Sequence, residues 1–118
     1  MASFIAAFTY AWRGLVVAFR NEPNLRIELG LGVLAVLIAW FARVAVWPVV
    51  LVSLVVLSAE VINSAIERLV DLVTRERSPL ARDIKDISAG AVLLTAIGAV
   101  IFALVYLLPP LLVRIGVQ

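Results

Sequence analysis

Apolar residues fill most of this chain and fall into long, nearly uninterrupted stretches. Residues 87–113 carry no charge, and residues 29–59 are broken only by Arg43. A helix that crosses a bilayer needs roughly 20 mostly apolar residues, so 87–113 suits one crossing. The 29–59 stretch is too long for one helix and suits two, with a tight turn around 42–47. Pro48 fits the first turn of the second helix, where a missing N–H costs nothing. Pro109 and Pro110 are expected to end regular helix near Leu108. The pattern predicts spans at about 25–42, 48–73 and 87–108.

Residues 3–20 read differently. Phe4, Phe8, Trp12, Leu15 and Phe19 fall within an arc of about 80° on a helical wheel, with Arg13 and Arg20 opposite. An aromatic face opposite arginines describes a helix lying in the membrane interface. The plainer alternative is a helix packed on soluble protein. No basic segment, apolar core and cleavage site mark a signal peptide here.

Charge orients the spans. Arg13, Arg20 and Arg26 precede the first; Arg68, Arg75, Arg77, Arg82 and Lys85 lie at or between the second and third. The outer turn has Arg43 and the tail Arg114. By the positive-inside rule, the N-terminus and the 74–86 loop are expected in the cytoplasm. Only 15% of the 118 residues are charged and 64% are hydrophobic, against about 25% and 45–50% in soluble domains. That excludes a conventional soluble enzyme, and a net charge of +2 is too weak for a nucleic-acid partner. With no cysteine and no histidine, disulfides, thiolate metal sites and a Ser-His-Asp triad are absent. No phosphate-binding glycine loop or soluble-kinase motif occurs either. Chemistry must rest on carboxylates, amides and hard cations.

Carboxylates stand where the bilayer disfavours them. Glu60, Asn63, Glu67 and Asp71 follow an i, i+3, i+7, i+11 spacing and form one polar stripe within about 80°. Counting from Pro48 at 1.5 Å per residue, Glu60 lies roughly 18 Å along the span and Glu67 roughly 28 Å. Asp71 lies just beyond a hydrocarbon core of about 30 Å. A buried carboxylate costs at least about 2.5–3.5 kcal/mol, so the stripe needs partners or a task. An interhelical clamp through Asn63 is the structural option. Withdrawal from water also strengthens a carboxylate's hold on a proton, which suits a general base. Glu22, Glu28, Asp83 and Asp86 gather at the same cytoplasmic level. Glu22, Glu67, Asp71 and Asp86 offer oxygens for a hard cation such as magnesium, which takes one or two carboxylates plus phosphate oxygens and water. Lys85 and nearby arginines suit phosphates; for Arg75, Arg77 and Arg82 the plainer reading is topology and anionic headgroups. Ala89, Ala96, Ala99 and Ala103 form a small-residue stripe suited to close helix packing. Three thin helices cannot enclose a pocket alone, so oligomerisation is expected.

The segment AEVINSAIERLVD, followed by SPLARDIKDISAGAVLL, resembles the prokaryotic diacylglycerol kinase family. Its E-x-x-N-[ST]-A-[IL]-E-x-x-V-D hallmark reads as Glu60, Asn63, Ser64, Ala65, Ile66, Glu67, Val70 and Asp71. The K-D pair is Lys85-Asp86, followed by Ala89-Gly90-Ala91-Val92. Trp12-Arg13-Gly14 and Asn21-Glu22 match upstream elements, with Arg26 and Glu28 at the family's offsets. The resemblance covers about residues 8–105. It implies an all-α membrane protein: an interfacial helix plus three spans, assembled as a homotrimer with shared sites. It implies transfer of the ATP γ-phosphate to a lipid hydroxyl at the cytoplasmic face of a bacterial inner (cytoplasmic) membrane. Glu60 would be the base, with Asn63 beside the reacting groups. Glu22 and Glu67 would hold Mg2+ on ATP. Tyr10, Glu22, Glu67, Asp71, Glu76, Lys85 and Asp86 would belong to the nucleotide site, and Arg26, Glu28, Glu60 and Ala89 to the lipid site.

NEPNLRIE, DLVT, PLAR and AGAVLL look closer to the undecaprenol kinase branch than to the diacylglycerol branch, and both lipids stay open as acceptors. Ser78 and Arg77 stand where the family often has histidine and tyrosine, and Ser3 where the diacylglycerol branch has arginine. These departures bear on nucleotide contacts from the 74–80 loop. Read from the residues alone, the alternative is a cation or proton translocator, since intramembrane carboxylates also mark ion pathways.

Overall fold

The computed structural model describes residues 2–117 and is built of helices. Helix α1 (Ala2–Asn21) meets α2 (Pro23–Phe41) at a single-residue elbow. A turn at 42–46 leads to α3 (Trp47–Val73), and a loop at 74–78 to α4 (Pro79–Phe102). A π-helical stretch, Ala103–Leu107, carries α4 into α5 (Leu108–Arg114). Pro23–Phe41, Trp47–Val73 and the continuous Pro79–Arg114 are each long and apolar enough to cross a membrane. These match the three expected spans.

The elbow follows from proline. Pro23 disfavours the α region for the residue before it, and Glu22 is extended at φ −115°, ψ 100°. Pro23 then opens α2, where its missing N–H is no loss. Arg26, one turn into α2, reaches back: its Nη1 donates to the carbonyls of Phe19 (2.7 Å) and Arg20 (3.1 Å). Those carbonyls belong to the last turn of α1 and lack helical partners. Leu25 is fully buried beneath the elbow. On α1, Phe4, Phe8 and Trp12 remain exposed, an apolar face that the chain leaves uncovered.

At the other end, Arg43 takes a left-handed conformation, φ 61°. The Val44 N–H donates to Ala39 O (3.0 Å) and the Arg43 N–H to Trp40 O (3.1 Å), the paired bonds of a Schellman cap. The Tyr106 hydroxyl donates to Ala45 O (2.8 Å), and Arg114 Nε donates to Phe41 O (3.1 Å) while its guanidinium lies over the Phe41 ring. Ala39, Val49 and Leu107 are buried beside this turn.

Two expectations are corrected. Helix does not end at Leu108 but continues to Arg114. Leu108 donates its N–H to Ala103 O, five residues back. This wider turn relieves the crowding that Pro109 and Pro110 would otherwise cause. The 74–86 segment is a loop only over 74–78. Ser78 caps α4 by accepting the Ala81 N–H (3.0 Å), and Pro79 takes the first helical position. Residues 79–86 are two helical turns, about 12 Å long, and they carry Arg82, Asp83, Lys85 and Asp86.

Few apolar side chains are buried in one chain: Ala18, Leu25, Ala39, Ala42, Val49, Val70 and Leu107. Ala96, Ala99 and Ala103 line an apolar groove of about 380 Å³ with Gly32 and Val49, whereas Ala89 is exposed nearer the loop. Gly32 marks the close approach of α2 to α3, since a Cβ there would stand 3.1 Å from Ser53 Oγ and 3.3 Å from its Cβ. Gly30, by contrast, faces open space. Gly32→Val is therefore expected to cost about 1–3 kcal/mol through overpacking. Gly30→Ala is expected to gain about 0.5–1 kcal/mol from helix propensity. Thermal unfolding of both variants in one detergent checks this, and equal melting shifts would contradict the contact.

Candidate active site

Helix α3 brings its polar residues to the elbow. Glu60 is buried, only 8% exposed, and Ser64, one turn on, is buried beside it. The Ser64 hydroxyl donates to Glu22 Oε1 at 2.9 Å, tying the elbow to α3. Asn63 Nδ2 donates to Glu67 Oε1 at 3.4 Å. Two buried oxygens here lack a partner, Asn63 Oδ1 and Glu28 Oε2. Glu60 lies within electrostatic reach of Glu22, Glu28 and Glu67. Glu60 and Glu67 of the sequence stripe are thus joined by Glu22 from the elbow and Glu28 from α2.

Such a group repels itself, and among the described residues no ion pair neutralises it. Among the described residues the ion pairs are Arg82–Asp83 and Lys85–Asp71. The carboxylates therefore call for a cation. Among the described residues no three acidic side chains gather into a metal-holding group, so Glu22, Glu67, Asp71 and Asp86 do not form one cluster. Glu22 and Glu67 are hard oxygen donors, and one or two such groups suit magnesium when phosphate and water complete its shell.

A second site lies at the end of α3. Asp71, Glu76, Lys85, Asp86, Arg75 and Arg82 border a cavity of about 490 Å³ around the 74–78 loop. Lys85 Nζ donates to Asp71 Oδ1 at 2.7 Å and clasps α4 to α3. Glu76 enters through a local turn, its N–H donating to Thr74 Oγ1 at 3.1 Å. The expected nucleotide residues are thereby split. Asp71, Glu76, Lys85 and Asp86 stand together, Glu22 and Glu67 lie by the elbow, and Tyr10 borders a different groove between α1 and α3. Of the expected lipid residues, Glu28 and Glu60 adjoin, Arg26 caps α1, and Ala89 is exposed on α4. The sequence reading gave Ser64 no role; its position one turn after Glu60 was the available signal.

The chemistry available is a buried proton acceptor, an orienting amide, hard oxygens for a cation, and a cationic pocket on the loop side. Comparison with known proteins gives the family. The family model for prokaryotic diacylglycerol kinase matches residues 9–107. The chain is 41% identical over 114 residues to the diacylglycerol kinase of Synechocystis sp., covering 93% of this chain and 65% of that protein. It is 41% identical over 100 residues to the diacylglycerol kinase of Escherichia coli, 82% of each chain. It is 31% identical over 111 residues to the undecaprenol kinase of Bacillus subtilis, covering 92% and 90%. It spans just under two thirds of the Synechocystis protein's length. Both branches are relatives, and overall identity is higher to these two diacylglycerol kinases. With the three apolar helices and the convergent carboxylates, these matches show that the chain belongs to the prokaryotic diacylglycerol kinase family.

Proposed function

We propose that this protein transfers the γ-phosphate of ATP to the hydroxyl of a membrane lipid alcohol, diacylglycerol or undecaprenol. The products are ADP and phosphatidate or undecaprenyl phosphate. The observation that carries this reading is the placement of Glu60: buried on a membrane-crossing helix, with Glu22 and Glu67 around it. The names of the relatives support it. They lend nothing to the translocator alternative.

Glu60 takes the proton of the lipid hydroxyl as its oxygen attacks the γ-phosphorus. The bond from that phosphorus to the bridging oxygen breaks, and ADP leaves. Asn63 stands beside the reacting groups while its Nδ2 steadies Glu67. Glu22 and Glu67 would hold Mg2+, which supplies charge neutralisation on the phosphates when bound. Lys85, freed from Asp71, steadies the phosphates, and Glu76, Asp86 and Tyr10 complete the nucleotide site. Phosphoryl transfer depends mainly on positioning and charge neutralisation, which this set provides. Arg26 and Glu28 shape the lipid side near Ala89.

The split of the nucleotide residues within one chain supports a homotrimer in which neighbours share sites. Helix α1 lies in the membrane interface with its Phe4, Phe8 and Trp12 face in lipid. The protein resides in a bacterial inner membrane, with the N-terminus and active site cytoplasmic.

The direct test offers diacylglycerol and undecaprenol side by side in mixed micelles with labelled ATP and magnesium; transfer to neither would refute the reading. In the same assay, Glu60→Gln is expected to assemble and bind ATP normally but to lose at least about 100-fold in turnover, the span typical of general-base removal. Wild-type turnover at saturating lipid would remove Glu60 from this role. Glu22→Gln and Glu67→Gln are each expected to be nearly inactive and to need more magnesium. Mixed trimers of the two are expected to regain part of the activity. No recovery after verified subunit exchange would place both residues in one site from one chain.

A further inference from the structure

Helices α1 and α3 enclose a groove of about 530 Å³ that the reaction above leaves largely unused. Arg13 from α1 and Arg68 from α3 both line it, beside Tyr10 and Ser64, with Val61 and Ala65 as apolar walls. Neither arginine takes part in an ion pair among the described residues. Neither donates a side-chain hydrogen bond there, whereas Arg26 and Arg114 both do. On the α3 wheel, Arg68 lies about 60° from Asp71 and about 100° from Glu67, at the edge of the carboxylate stripe on the side toward α1. Two guanidinium groups are thus brought to one groove with their donors unspent. Both arginines are exposed, and the packing of α1 against α3 brings them to one groove.

An anion with several oxygens matches two planar donor forks at once. A phosphate group has this geometry and the charge to balance both arginines. The proton of Ser64 is already given to Glu22, so the two arginines are the donors this site offers. We propose that Arg13 and Arg68 form a phosphate-binding site in the α1–α3 groove, taking the phosphate of a membrane lipid headgroup or free phosphate. This site lies apart from the Lys85 pocket, which opens on the loop side of α3. It does not depend on the kinase reading, because its test measures binding alone.

The full chain is labelled with 15N-arginine and its Nε–Hε signals are followed by NMR. One arm titrates sodium phosphate in uncharged detergent micelles. The other compares phosphatidylcholine nanodiscs with and without phosphatidylglycerol. The Arg13 and Arg68 signals are expected to shift together and saturably, while Arg43 stays still. Saturation by sodium phosphate assigns free phosphate; saturation with phosphatidylglycerol alone assigns the lipid headgroup; both uphold the site. Arg68→Gln is expected to weaken the Arg13 response about tenfold or more, as loss of a charge-assisted fork implies. Arg68→Lys, which keeps the charge, is expected to weaken it less. If Arg68→Gln does not fold, the Arg68 response in Arg13→Gln reports the same coupling. Absence of a saturable shift in both arms, equal shifts at Arg43, or an unaltered Arg13 response in folded Arg68→Gln overturns the proposal.

Discussion

A hydroxyl on one helix and a carboxylate on the bend between two others meet across 42 residues of sequence, Ser64 to Glu22 at 2.9 Å. The rest of the site is arranged around this bond. Pro23 makes Glu22 extended, so its side chain leaves the axis of both neighbouring helices. Arg26 closes the end of α1, so the elbow keeps its angle. Ser64 then fixes how far the elbow stands from α3, and with it the approach of Glu22 to Glu60. A hydroxyl suits this place better than a cation would. It holds the carboxylate through one bond and leaves the charge available for a metal or a phosphate-bound cation.

The apolar framework imposes a second constraint. Backbone groups within a bilayer must be satisfied inside the chain, so the crossings are helices. Few apolar side chains are buried among the described residues, because lipid can cover the remainder. Polar groups cannot be treated so. The unpartnered Glu28 Oε2 and Asn63 Oδ1 are buried with no donor among the described residues. Partners from substrate or from another subunit account for them under the proposed reaction.

The crossings were legible because hydropathy and helical spacing report directly on lipid exposure. The stripe from Glu60 to Asp71 was legible for the same reason, as polar positions on an apolar helix are conspicuous. The start of α4 was missed because hydropathy marks where a helix enters lipid, not where it begins. Ser78-Pro79 carried the starting signal all along. The continuation past Pro109 depends on a π turn, which no local rule applied to the sequence foretells. Arg26 read as a topology charge or a lipid ligand, and only the fold shows it spent on the carbonyls of Phe19 and Arg20. The separation of Tyr10 from Lys85 is likewise a matter of which side of α3 each helix packs on.

Helix α4 also acts as a ruler. Its two turns beyond the apolar stretch are rigid, so the height of Lys85 above the bilayer is counted in residues at about 1.5 Å each. Its bearing is counted as well, at about 100° per residue. Deleting one residue between the membrane anchor and Lys85 would change the height little but swing the ammonium far from Asp71. Length and rotation are coupled in such a device. Insertions that a flexible loop would absorb are therefore not absorbed here, because even a whole turn that restores the bearing shifts Lys85 by about 5.4 Å along the axis.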